Sequence, residues 1–80
     1  MITVEVRLYA TLTKYHSDLR SGEPLAMALN DKAKLGNLLD ELKLPREEIK
    51  TIFVNGRWEE ESYLLRDGDR IGILPPIAGG

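Results

Sequence analysis

Apolar and polar residues alternate along Ile2–Leu8, with the apolar residues at the even positions. A period of two is typical of a β-strand that buries one face in a core and exposes the other. The odd positions of segment 25–29 are apolar in the same way and predict a second strand. Pro24 fits the start of an edge strand, where a missing N–H costs little. Between the two strands we predict a short helical turn over Ala10–Tyr15 and a polar loop over Ser17–Gly22.

A helical period replaces this alternation in the middle of the chain. Leucines at positions 35, 38, 39 and 42 are spaced i, i+3, i+4 and i+7, which predicts one apolar face of a helix over Leu35–Leu42. Asn30 or Asp31 is predicted to cap its start, because short polar side chains accept hydrogen bonds from the first free N–H groups. Leu44-Pro45 ends the helix, since proline disfavours the helical conformation in the residue before it.

Strand and turn signals return in the last third of the chain. Thr51–Val54 is rich in β-branched and aromatic residues and predicts a third strand. Asn55-Gly56 predicts a tight hairpin, because both residues tolerate positive φ, and Arg57–Glu59 is the short return strand. A turn over Asp67–Asp69 precedes a last strand, which ends at Pro75-Pro76 because proline cannot donate to a ladder.

The order of these elements predicts the fold class. One helix with one apolar face must pack on one face of one sheet. We therefore predict an α+β fold of the ubiquitin-like β-grasp type, with a mixed sheet of four to five strands and one main helix. The first and last strands are expected to lie side by side and parallel. Residues 1–76 are predicted to form the domain, and residues 77–80 a flexible C-terminal Gly-Gly tail.

Size, charge and composition exclude several kinds of function. A chain of 80 residues has little room for a buried active site. Its net charge of −2 argues against nucleic-acid binding, which needs a basic face. It has no cysteine, hence no thiol nucleophile, and His16 alone does not make a metal site. No signal peptide or apolar run of membrane-spanning length is visible, so we expect a cytoplasmic protein that does not bind a membrane.

The last residues carry the candidate chemistry. Glycine has no Cβ, so Gly79-Gly80 fits a channel too narrow for any other residue. Pro75-Pro76 stiffens the start of this segment, so that it projects away from the sheet. A frayed end is the alternative, since chain ends often fray. The combination with a β-grasp pattern favours a tail that presents its terminal carboxylate to the active site of another protein. Asp67 and Asp69 are predicted to form a turn and not a catalytic carboxylate pair.

Several segments resemble the MoaD/ThiS sulfur-carrier family, and its MoaD branch in particular. The stretch from Asp67 to Gly80 resembles the C-terminus of the family, with Pro-Pro-x-x-Gly-Gly as its most specific element. Leu8–Leu12 resembles the aromatic-Ala-x-Leu segment of the branch, Leu35–Leu42 its Leu-Leu helix, and Val54–Gly56 its hairpin. The resemblance covers essentially the whole chain.

The resemblance implies a sulfur carrier without catalytic residues or bound cofactors of its own. An ATP-dependent enzyme of the ubiquitin-activating type adenylates the carboxylate of Gly80, and a persulfide-derived sulfur displaces AMP to leave a thiocarboxylate. The tail, with Gly79 giving access, then enters the large subunit of molybdopterin synthase, where the sulfur passes to a pterin precursor of molybdopterin. Partner contacts are implied at Tyr9, Trp58, Leu74, Pro75, Pro76, Ile77 and Ala78.

Strand alternation supports part of this surface independently. Tyr9 and Leu74 face outward if the apolar positions before them face the helix, and an outer apolar patch near the tail would suit docking. The alternative is that Tyr9 and Trp58 only cover the open face of the sheet or pack into the core. For Trp58, docking and this alternative are equally supported. Three other functions stay open. They are a protein modifier that transfers Gly80 to a lysine amine, a ThiS-type carrier for thiazole synthesis, and an interaction module that does not use the tail; tungsten-cofactor synthesis is not separable from the molybdenum pathway.

Overall fold

The computed structural model describes residues 1–76 of the chain. Within them, the strands are β1 (Ile2–Leu8), β2 (Pro24–Leu29), β3 (Thr51–Val54), β4 (Arg57–Trp58) and β5 (Arg70–Leu74). The helix α1 spans Leu35–Leu42, and two 3₁₀ helices span Ala10–Tyr15 and Arg46–Glu48. Each predicted element is present, although β4 ends one residue earlier than expected. No helix among the described residues is long and apolar enough to cross a membrane.

The strands form one mixed sheet in the order β2-β1-β5-β3-β4. The central pair, β1 and β5, is parallel, and the other pairs are antiparallel. The helix α1 packs on one face of this sheet, so the predicted ubiquitin-like β-grasp is confirmed. Pro24 begins an edge strand, as expected. Because β5 is the central strand, its C-terminal end delivers the chain to the middle of one end of the sheet.

A single apolar core lies between the sheet and α1. The four leucines of α1 are almost completely buried, which confirms the apolar face predicted from their spacing. They meet the inward residues of the strands, which are the even positions of β1 and β3 and the odd positions of β5. The buried apolar residues are Val4, Val6, Leu8, Leu12, Leu29, Ala33, Leu35, Leu38, Leu39, Leu42, Leu44, Ile52, Val54, Leu65, Ile71 and Ile73.

The start of α1 differs from the prediction. Neither Asn30 nor Asp31 caps the helix, which begins at Leu35 after an N-cap at Lys34. The side-chain oxygen of Asn37 instead accepts a hydrogen bond from the N–H of Lys34 at 2.8 Å. The predicted cap residues lie too far from the first turn, since the chain remains extended at Lys34.

A backbone segment from the far end of the chain completes this cap. The first two N–H groups of the helix, from Leu35 and Gly36, donate to the carbonyl oxygens of Tyr63 and Glu61, both at 2.9 Å. These are free donors that every helix must satisfy at its start. A Cβ on Gly36 would lie 3.1 Å from Oε1 of Glu61. A side chain at this position would displace the end of the Glu61 side chain, whereas the carbonyl oxygen of Glu61, at 3.5 Å, would be in ordinary contact.

Candidate functional site

The face of the sheet opposite α1 carries the residues predicted to meet partners. Tyr9 follows β1 and Leu74 ends β5, and both side chains are half-buried and turned away from the core. The N–H of Tyr9 donates to the carbonyl of Ile73 at 3.2 Å. This bond holds Tyr9 next to the end of β5, where Leu74 lies. Their outward orientation is as strand alternation predicted. Their binding to a partner stays a prediction.

Trp58 lies on the same outer face and not in the core. It pairs across the β3–β4 hairpin with Phe53, so the two aromatic side chains share a face. Trp58 is 60% exposed and Phe53 is 37% exposed. This exposure excludes packing of Trp58 into the core, and its docking to a partner stays a prediction. Phe53 was missed in the sequence, although its place between inward-facing Ile52 and Val54 signals it.

A shallow depression lies at the centre of this face, above Gly72 of β5. The register places Gly72 between Arg7 on one side and Phe53 on the other. The depression has a volume of about 430 Å³. Its lining consists of Glu5, Arg7, Tyr9, Phe53, Gly56, Arg70, Ile71, Gly72 and Leu74. We give the name outer patch to three apolar side chains that line it, Tyr9, Phe53 and Leu74, together with Trp58, the cross-strand neighbour of Phe53.

Two arginines give the depression a cationic rim. The guanidinium of Arg7 lies 3.2 Å from a carboxylate oxygen of Glu5 and donates to the carbonyl of Gly22 at 3.0 Å. Arg70 is exposed and forms no ion pair with any residue between 1 and 76. An apolar floor with one unpaired cation suits a partner that presents an apolar side chain next to a carboxylate.

The chain leaves the sheet beside the outer patch. Leu74 is followed by half-buried Pro75 and exposed Pro76, which end β5 as predicted. The remaining predicted site residues lie outside the described part of the chain. These are Ile77, Ala78, Gly79 and Gly80.

The Asp67–Asp69 segment is a turn, as predicted. Gly68 has a φ of 86°, a conformation that favours glycine. The carboxylate of Asp69 is buried and accepts hydrogen bonds from the N–H of Arg66 at 2.8 Å and the side-chain amide of Asn55 at 2.9 Å. That of Asp67 accepts from the N–H of Thr3 at 2.8 Å. Both carboxylates therefore hold the chain entering β5.

Replacing Asp69 by alanine should lower the free energy of unfolding by about 1–3 kcal/mol, because two partly buried hydrogen bonds to its carboxylate are lost. Urea unfolding followed by circular dichroism measures the change. Asp18→Ala removes an exposed carboxylate and is the matched control. Equal stability of the two variants would contradict a structural role for the Asp69 carboxylate.

A cluster of charged and polar side chains joins the two 3₁₀ helices. The hydroxyl of Tyr15 donates a hydrogen bond to Glu48, and Nζ of Lys14 lies 2.9 Å from the other oxygen of that carboxylate. The bond from Tyr15, followed by that from Lys14, lowers the pKa of Glu48. His16 lies next to this cluster in sequence, and its Nε2 is 3.0 Å from the carbonyl of Leu42. Among residues 1–76, no group of three or more acidic, His or Cys side chains could hold a metal ion.

The lowered pKa of Glu48 predicts acid-sensitive stability. The ionised carboxylate is favoured in the folded state, so its contribution is present above the ordinary pKa of 4.5 and is lost as the pH falls through the folded-state pKa. Glu48→Gln should therefore be less stable than the native chain at neutral pH and approach it in acid. Urea unfolding across this pH range measures the convergence. Glu47→Gln is the matched control, and parallel curves for native chain and Glu48→Gln would contradict the assignment.

Solved structures of the same shape are small ubiquitin-like proteins. A protein described as molybdopterin converting factor subunit 1 of Pyrococcus furiosus is 23% identical, with a TM-score of 0.78 over 96% of this chain and 100% of that chain. Small archaeal modifier protein 1 of Haloferax volcanii is 18% identical, with a TM-score of 0.77 over 96% of this chain and 100% of that chain. At these identities the likeness shows the fold alone.

A third solved structure is a complex of subunits 1 and 2 of molybdopterin-converting factor from Helicobacter pylori. The matched chain is 29% identical, with a TM-score of 0.62 over 99% of this chain and 100% of that chain. The predicted likeness to the MoaD/ThiS group is thus confirmed among the structural relatives. No curated protein matches the chain. The family model described as Mut7-C ubiquitin matches residues 1–78, so the chain belongs to the Mut7-C ubiquitin family.

Proposed function

We propose that this protein is a sulfur carrier whose C-terminal glycine, Gly80, is adenylated and converted to a thiocarboxylate that delivers sulfur for molybdopterin synthesis. The observation that supports this most is the position of Leu74 and Pro75. Leu74 belongs to the outer patch and ends the central strand, and Pro75 follows it, so a partner that binds the patch also meets the chain that leads to residues 77–80. In this proposal the folded domain binds the partner, and the terminal carboxyl group of Gly80 reacts.

The chemistry needs activation, because a carboxylate is a poor acyl donor. In the proposed reaction, the carboxylate of Gly80 attacks the α-phosphorus of ATP in a ubiquitin-activating-type enzyme and displaces pyrophosphate. A persulfide attacks the resulting acyl-adenylate, AMP leaves, and an acyl disulfide forms. A thiol cleaves the S–S bond, becomes a disulfide itself, and releases the thiocarboxylate. The partner enzymes supply the catalysis.

The second proposed partner resembles the large subunit of molybdopterin synthase. The Helicobacter pylori relative is subunit 1 of molybdopterin-converting factor in a complex with subunit 2. We extend this pairing to the present chain, because its outer patch and cationic rim form a docking surface next to the tail. The tail would enter the active site of the partner, where the sulfur passes to the pterin precursor.

The absence of cysteine allows a direct test. The chain has no thiol, so a thiol-alkylating reagent labels it only if a thiocarboxylate forms. The chain ending at Gly80 is incubated with ATP, its activating enzyme and a sulfur donor, then alkylated and analysed by intact mass and peptide mapping. We expect one label per chain, located at Gly80. The proposal also requires that the carboxyl group of Gly80 be free in cells, which the intact mass of the native protein determines.

The matched control is the chain without Gly80. No labelling while the activating enzyme turns over ATP with the chain, or equal labelling of the control, would contradict the carrier function. Conjugates in which Gly80 is joined to a lysine would instead identify a protein modifier. Loaded chain that passes sulfur to a thiazole precursor, and not to the pterin precursor with the large-subunit partner, would identify the ThiS-type pathway.

A further inference from the structure

Strand β2 lies at one edge of the sheet. The hydrogen bonds of β1 show which backbone groups of β2 point to this free edge. The N–H groups of Glu5 and Tyr9 donate to carbonyls of the β5 segment at 2.9 and 3.2 Å. Backbone groups along a strand point alternately to its two neighbours, so the odd residues of β1 bond to β5 and the even residues to β2. The register pairs those even residues with the odd residues of β2.

The even residues of β2 therefore face the open edge. Ala26 and Ala28 direct an N–H and a carbonyl there, and Pro24 directs a carbonyl alone. Between residues 1 and 76, no hydrogen bond from outside the β1–β2 ladder reaches this strand. Sheet edges are usually protected by charges, proline or bulges. The six residues of β2 carry no charge, and only Pro24 protects one end.

We propose that β2 pairs with β2 of a second copy of the chain, antiparallel, across a two-fold axis at Met27. In this register Ala26 lies opposite Ala28 of the second copy, and each exchanges two backbone hydrogen bonds. Leu25 lies opposite Leu29 of the second copy, and Met27 lies opposite Met27 of the second copy. The inward-facing side chains of the two strands therefore lie on the same face of the joined sheet. An axis at Ala26 would instead leave the Ala28 carbonyl opposite Pro24, which has no donor.

Charged groups flank β2 at both ends, and the proposed pairing brings them together. In this register Glu23, which precedes β2, lies opposite Asp31 of the second copy, with Lys32 next to it. The N-terminal amine of Met1 lies 2.6 Å from Asp31, so this group holds two positive and two negative charges. The pairing therefore opposes no like charges inside the strand, and the two carboxylates that meet at each end are offset by two positive charges.

Side chains on the inner side also gain contacts. A groove of about 560 Å³ runs between the end of β2 and α1; polar and charged side chains form most of its lining, and Leu29 and Ala33 are among its apolar residues. Leu25 of the second copy, opposite Leu29, would cover the rim of this groove. Leu25 and Met27 are half-buried in the single chain and would become buried. The outer patch and β5 lie away from this edge, so a dimer presents two of each.

Analytical ultracentrifugation over a wide range of protein concentration tests the pairing. One strand gives an interface below about 1,200 Å², so we expect weak, reversible dimers. Ala26→Pro removes a free N–H without breaking the ladder to β1, because proline is tolerated where the N–H faces away from the sheet. This variant should dimerise at least about tenfold more weakly than the native chain. Ala26→Ser keeps the N–H and is the matched control.

Hydrogen exchange of the Ala26 and Ala28 amides in the native chain is the second measurement, independent of whether the proline variant folds. Both amides should become protected as the concentration rises. A native chain that stays monomeric, undiminished association of Ala26→Pro, or unchanged exchange at these amides would overturn the proposal. If these amides become protected in the monomeric chain when an extended apolar peptide is added, the edge binds a strand of another protein instead.

Discussion

Leu39→Ala should lower the free energy of unfolding by about 2–5 kcal/mol. Leu39 lies on the apolar face of α1 with 0% of its side chain exposed. Truncation removes contacts and leaves a cavity that close-packed neighbours fill only partly. Domains of this size have a total stability of about 5–15 kcal/mol, so the variant should lose much of it. Urea unfolding followed by circular dichroism measures the loss.

Glu41→Ala is the matched control for this prediction. Glu41 lies on the exposed side of the same helix and forms no ion pair within residues 1–76. Its replacement should change stability by no more than about 0.5 kcal/mol. If Leu39→Ala also lost no more than about 0.5 kcal/mol, α1 would not pack on the sheet as described.

The fold was predictable because periodicity alone assigns most of the core. The alternation along β1 and the leucine spacing along α1 each identify an inward face, and one helix with one such face needs one sheet. The start of α1 was not predictable in this way. Its N–H groups are satisfied by the backbone of Tyr63 and Glu61, which lie far away in sequence in a segment without a regular period. Backbone acceptors of this kind leave no signature in residue type.

The candidate site was predictable only in part, and each gap has a physical cause. Tyr9 and Leu74 follow long alternating strands, so their outward direction follows from the pattern. Trp58 lies in a strand of two residues, where alternation cannot assign a face until the pairing with Phe53 is known. Residues 77–80 lie outside the described part of the chain, so their roles stay predictions.

The sequence pattern around Gly72 does not explain why this position is a glycine. In the sequence it is the non-apolar position between Ile71 and Ile73, which indicates a strand but gives no reason for glycine. Its φ lies outside the left-handed region, so the backbone does not require glycine. A Cβ there would lie 3.4 Å from the ring of Tyr9, an ordinary contact. Glycine in a strand interior often marks the close approach of another molecule.

Gly72→Val should separate folding from docking. Valine favours strands and glycine costs about 0.5–1 kcal/mol in a strand interior, so the variant should be at least as stable as the native chain. Its methyl groups would fill the depression between Arg7 and Phe53, where an apolar side chain of the partner is expected to bind. We expect binding to the proposed large-subunit partner to weaken by at least about 30-fold, or about 2 kcal/mol. Isothermal titration calorimetry measures it.

Thr3→Val places the same side chain on the outer face of β1, away from the depression, and should bind the partner as the native chain does. If Gly72→Val also binds normally, the depression is not the docking site, even if the tail carries sulfur. If it fails to fold, the space beside Tyr9 is needed by the domain itself. A stable variant that still acquires the thiocarboxylate label at Gly80 but no longer binds the large subunit would show that glycine is kept at this position for the partner, at the expense of the stability of the strand.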